Sequence, residues 1–91
     1  MANQVQQGGT PILLSSSGAV SIASGTMIGY HVNSTSSGTI VLRDGSTSGG
    51  TAVSGTITPS AGFNDFPAYF PNGCYATLAN TISVTFFFAA G

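Results

Sequence analysis

The class this 91-residue sequence predicts is all-β: a small antiparallel β-sandwich, jelly-roll-like or barrel-like, with seven or eight short strands and almost no helix. Three observations predict it. β-Branched and aromatic residues come in short bursts, and Gly, Ser, Asn or Pro punctuates them. No i, i+3, i+4 apolar pattern is sustained anywhere, so an amphipathic helix has no sequence basis. The bursts recur at spacings of roughly 8–12 residues, the rhythm of sandwiches and barrels.

Taken in order, residues 1–9 are polar, with Gln4, Gln6 and Gln7 before a Gly8-Gly9 break, and read as a flexible N-terminal arm. Residues 10–91 read as one domain. Residues 12–15 are the first expected strand, and residues 19–23 follow the turn signal Ser17-Gly18. Residues 26–33 alternate, placing Ile28, Tyr30 and Val32 on one face and Met27, Gly29 and His31 on the other. Residues 34–38 read as a loop. Residues 39–43 put Ile40 and Leu42 on one face, with Val41 and Arg43 opposite; residues 45–50 form a second loop. Residues 52–58 carry Val53 and Ile57 on one side. Residues 63–70 are aromatic but contain Pro67, which confines them to an edge strand or an extended loop. Asn72-Gly73 suits the positive dihedrals of a tight hairpin turn before residues 74–78. Residues 82–88 are the strongest strand, aligning Ile82, Val84, Phe86 and Phe88, with Phe87 on the opposite face.

The charge count excludes several functions. Arg43, Asp44 and Asp65 are the only charged side chains, 3% of the chain against about 25% in an ordinary domain. One Arg and no Lys cannot displace the counterions that nucleic-acid binding requires, nor form a polybasic membrane patch. No apolar run approaches the ~20 residues of a helical span, and no secretory leader is expected. Gly, Ser and Thr fill 37 of the 91 positions, yet the hydrophobic fraction is 42%, too high for a solvated disordered chain. A net charge of −1 gives little colloidal repulsion. Cys74 is alone, so no intrachain disulfide staples the domain. Oligomerisation is the remaining common source of stability for so small a core, and a homo-oligomer is expected.

The inventory for catalysis is thin: one histidine, His31, and two carboxylates. Gly45-Ser46-Thr47-Ser48-Gly49 resembles a nucleophile elbow only superficially, because its centre is Thr47 and no strand-to-helix setting surrounds it. No spacing suggests zinc or calcium ligation, so no catalytic residue, metal or cofactor is expected. Asp44 reads as a turn acceptor before Gly45, Asp65 as a turn cap beside Asn64, and Cys74 as a small packed apolar group. His31 and Phe87, large or polar residues on faces opposite the expected core, are the candidate subunit interface.

Three segments carry a family resemblance: residues 38–45 (GTIVLRDG), 70–78 (FPNGCYATL) and 81–88 (TISVTFFF). In this order they resemble small all-β virion accessory proteins of tailed bacteriophages, the capsid decoration or cement proteins of marine or cyanobacterial phages. The resemblance implies a structural virion protein on the capsid surface, commonly a homotrimer, that stabilises the phage head through contacts with the major capsid protein. It implies no enzymatic activity. The polar arm, Asn3, Gln4, Val5, Gln6 and Gln7, is then the candidate capsid contact, adding its amides to a sheet edge. The alternative is a phage fibre or knob domain in which Tyr69, Phe70 and Tyr75 stack on a host glycan or receptor.

Overall fold

The computed structural model describes residues 10–90. The arm lies outside them. Among the described residues the fold is all-β and antiparallel, with no helix. Six strands form one sheet: β1 (Thr10–Leu14), β2 (Gly18–Ser21), β3 (Gly25–Asp44), β4 (Thr51–Ala52), β5 (Gly62–Phe70) and β6 (Cys74–Ala90).

Six strands replace the expected seven or eight because two pairs of bursts fuse. Residues 34–38 are not a loop but the middle of the 20-residue strand β3, and residues 79–81 likewise continue β6. These two long strands pair along their whole length, from Gly25↔Ala90 to Asp44↔Cys74. Each carries two short partners placed end to end. β1 and β2 pair with opposite ends of β6, and β5 and β4 with opposite ends of β3.

The β3–β6 ribbon is folded over. Twenty residues in a straight strand would span about 66 Å, yet the longest dimension of the molecule is 42 Å. Connectivity requires the same. Phe70 pairs with Gly25 at one end of β3, and Cys74, four residues on, pairs with Asp44 at the other. A bend at the middle is therefore needed, and both strands supply it at the same level. Ser37 and Asn80 have φ of 57° and 62°, left-handed values uncommon for residues with a Cβ. Between Ser36 and Thr39 two residues of β3 oppose one of β6, a bulge that sharpens the local twist. The Asn80 Nδ2 donates to the Ser37 carbonyl at 2.7 Å, and the Gly38 N–H donates to Thr35 Oγ1 at 3.0 Å, so backbone groups released by the bend are satisfied. Gly38 sits where the strands press closely together: a Cβ there would lie 2.5 Å from the Ile82 Cβ.

One core fills the fold. Met27, Tyr30, Val32, Val84, Phe86 and Phe88 from one half join Ile40, Leu42, Cys74 and Ala76 from the other. Tyr30–Phe86 and Phe70–Phe88 make tilted ring contacts at 5.9 and 6.2 Å, within the favourable range for aromatic pairs. This folded sheet is compatible with the expected sandwich. Burial raises the Tyr30 phenol above its ordinary pKa.

Several details depart from simple alternation. Met27, not Ile28, joins Tyr30 and Val32 in the core, because a bulge between Met27 and Gly29 inserts one residue and exchanges the faces. Val53 is exposed, and residues 53–58 form no strand beyond the Ile40↔Ile57 bridge. Asn72-Gly73 does not close a two-residue hairpin. β5 and β6 do not pair with each other, and the segment instead crosses between the two ends of β3, with Gly73 at φ 101°. Pro67 falls in the irregular stretch of β5 between Asp65 and Ala68, on a strand bonded only to β3.

Candidate protein-contact face

The half-sheet ordered β1-β6-β3-β5 turns one face to the core and the other outward. Register places Leu13, Thr85, His31 and Phe63 in one transverse row of the outer face. The next row holds Pro11, Phe87, Gly29 and Asp65. Tyr69 lies further along β5, opposite Thr26. Three large apolar side chains stand out from this surface: Leu13 is 65% exposed, Phe63 53% and Tyr69 60%.

Gly29 organises the centre of the face. Without a side chain there, the Phe63 ring leans across β3; a Cβ on Gly29 would lie 2.7 Å from the Phe63 Cζ. The ring thereby reaches Phe87 at 6.0 Å between centroids. Phe87, a candidate interface residue, is accordingly half-buried beneath Phe63. Of this ring pair the exposed member is Phe63, whose signal is the pairing of a glycine with a large neighbour across two strands, visible only once register is known.

His31, the other candidate, is exposed in the same row. Its Nδ1 lies 3.1 Å from the Asn33 Oδ1. The Asn33 Nδ2 donates to Thr85 Oγ1 at 3.0 Å and Ser83 Oγ at 3.4 Å. Asn33 thus ties the Nδ1 side of the ring to β6, and Nε2 is the remaining polar atom of the imidazole. Asp65 is exposed within β5 and does not cap a turn; its backbone pairs opposite Gly29.

The other charged groups belong to the far half. The Asp44 carboxylate accepts from the Asn72 N–H at 3.1 Å and from the Asn72 Nδ2 at 3.0 Å, securing the 71–73 crossover and not the turn at Gly45. The Arg43 Nε donates to Thr77 Oγ1 at 2.9 Å, and its Nη1 to the Gly50 carbonyl at 3.2 Å, so this cation anchors the 45–50 loop. Cys74 is fully buried, and burial, with a smaller contribution from the negative charge of Asp44, pushes its thiol up to about 12. Of the aromatics proposed for ligand stacking, Phe70 is core, Tyr75 is half-buried and Tyr69 is exposed. His31 and Asp65 thus share a face, whereas Asp44 is held apart at the crossover. No cluster of three metal-ligating side chains and no pocket is found among the described residues. No known protein family, curated protein or solved structure matches this chain.

Proposed function

We propose that this chain is a structural virion protein, a capsid decoration or cement protein that stabilises a phage head through protein–protein contacts, and that the outer face of β1-β6-β3-β5 is its subunit-contact surface. The observation that carries the reading is the alignment of Leu13, Phe63 and Tyr69 on that one face, each more than half exposed. Grouped exposed apolar side chains on a small domain mark contact surfaces. A cement function needs binding energy and rigidity in place of a reaction centre. The fused β3–β6 ribbon, paired along its length, supplies a stiff support for such a face. The resemblance of residues 38–45, 70–78 and 81–88 to phage accessory proteins gives the partner its class, a major capsid protein.

The test is the position and copy number of the chain in purified particles. Hundreds of copies in fixed ratio to the major shell protein, with incorporation lost in Phe63→Ser, are expected. Absence from particles refutes the reading. A second reading, a fibre or knob domain, draws on the exposed Tyr69 and Phe63 of β5, whose rings are open to stack on a sugar. A few copies per particle, confined to a tail or fibre, would favour it.

A further inference from the structure

The outer face carries a second, more specific pattern. Its exposed side chains are apolar or neutral polar, Asn33 included, except for two titratable ones, His31 on β3 and Asp65 on β5. They occupy opposite corners of a small rectangle whose other corners are Phe63 and Gly29. The Phe63 ring, leaning over Gly29, runs along the second diagonal and separates them. No ion pair joins them within the chain, and the Asp65 carboxylate has no hydrogen-bond partner among the described residues. With Nδ1 beside the Asn33 Oδ1, the His31 Nε2 has no hydrogen-bond partner among the described residues.

Two-fold symmetry resolves this arrangement. In an isologous contact, if residue i of one copy meets j of the other, then j meets i. An axis lying in the face and exchanging the His31 and Asp65 corners must run near the other diagonal, along Phe63 and Gly29. Each Phe63 ring then falls beside its own copy. Resting on the reading of this face as a protein-contact surface, we propose that its occupant is a second copy of this chain, docked about such an axis with His31 of each copy against Asp65 of the other. Leu13 and Tyr69 flank the paired Phe63 rings. The net charge of −1 leaves little long-range repulsion to oppose the approach. Imidazole facing carboxylate selects this orientation, because it pairs both groups twice across one contact.

The experiment is sedimentation velocity with light scattering on the full chain, for wild type, His31→Asp, Asp65→His, the double exchange and Phe63→Ser, with circular dichroism verifying the fold of each. Wild type is expected at twice the 9.0 kDa chain mass. H31D sets carboxylates opposite each other and D65H sets imidazoles opposite each other, twice per dimer, so each should raise the dimer Kd at least about tenfold, a change of about 1.4 kcal/mol. The double exchange restores both pairs with polarity reversed and should recover most of the affinity. F63S should leave a monomer. A monomeric or trimeric wild type overturns the proposal, as does dimerisation that both single variants leave unchanged or a double exchange no tighter than the singles. Particle binding distinguishes this failure from failure of the contact face itself. If wild type is monomeric yet F63S abolishes incorporation into particles, the face stands and only its occupant is wrong. If F63S alters neither, both are wrong.

Discussion

Substituting Gly38 by alanine tests the account of the bend directly. Gly38 lies at the bulge where β3 and β6 turn together, and a Cβ built there meets the Ile82 Cβ at 2.5 Å, Thr35 Oγ1 at 2.8 Å and the Thr81 carbonyl at 3.0 Å. Carbon atoms prefer separations of about 3.5–4.0 Å, so the strands must part by about 1 Å or more. Ile82 cannot swing clear, because the clash is with its branch carbon and its side chain is in the core. Overpacking of this kind costs about 1–3 kcal/mol. Unfolded-chain entropy acts in the opposite direction, since Gly→Ala at an unstrained position stabilises by about 0.4–1 kcal/mol. The net expectation is a loss of about 1 kcal/mol, equivalent to roughly 4–8 °C in Tm for a domain of this size. Urea titration and calorimetry would read it, with Ser36→Ala, a neighbouring exposed position, as the control, expected within about 0.5 kcal/mol of wild type. A Gly38→Ala variant as stable as wild type, or more stable, would refute the close approach at the bend.

Other expectations follow from the same structure. Asn80→Ala loses both the side-chain bond to Ser37 and the tolerance of Asn for left-handed φ, and should cost about 1–2 kcal/mol by denaturant titration; Asn80→Gly keeps the backbone tolerance and should cost less. Asp44→Ala removes both acceptors of Asn72, so hydrogen exchange at the Asn72 amide and deamidation of the Asn72-Gly73 pair, read by peptide mass, should accelerate. The Cys74 thiol should resist an aqueous thiol reagent at pH 8 in the native protein and react on unfolding. Its folded pKa lies above the unfolded one, so the stability it contributes is complete below about pH 9 and declines as the pH rises toward about 12. The buried Tyr30 phenol acts in the same direction. Urea midpoints should therefore fall from pH 8 to pH 11, and a flat profile would contradict the burial of these groups.

Much of this fold was legible in residue order. Ile40 and Leu42, and likewise Ile82, Val84, Phe86 and Phe88, fall on the core face that strict alternation gives them. Cys74 packs as the small apolar group its isolation suggested, and Pro67 marks an edge strand. What alternation could not supply was the set of irregularities. Nothing about Met27 and Ile28 in sequence distinguishes which faces inward; a one-residue bulge decides it, and the bulge belongs to the pairing. Residues 34–38 carry every mark of a loop, yet a neighbouring strand with a matching irregularity at Asn80 lets them remain strand. Similarly, the Asn72-Gly73 pair encodes a positive φ without saying which strands it joins. The candidate contact face was half legible: His31 and Phe87 are on it, but Phe63 and Asp65 join them through register with β3.

The order in which the strands appear along the chain bears on how the molecule is made. β6 is the partner of β1, β2 and β3, and all three precede it. During synthesis, β1 and β2 have no native neighbour until β6 emerges, and one entire edge of β3 stays bare while β4 and β5 pair with the other. Pairing of this kind closes large loops and is slow. A nascent chain with a long uncovered edge is prone to join another such chain before its own last strand arrives. The hydroxyl-rich, left-handed interruption at residues 34–38 divides that edge into two shorter, misaligned segments, which would make it a poor template for a second chain while β6 is still being added.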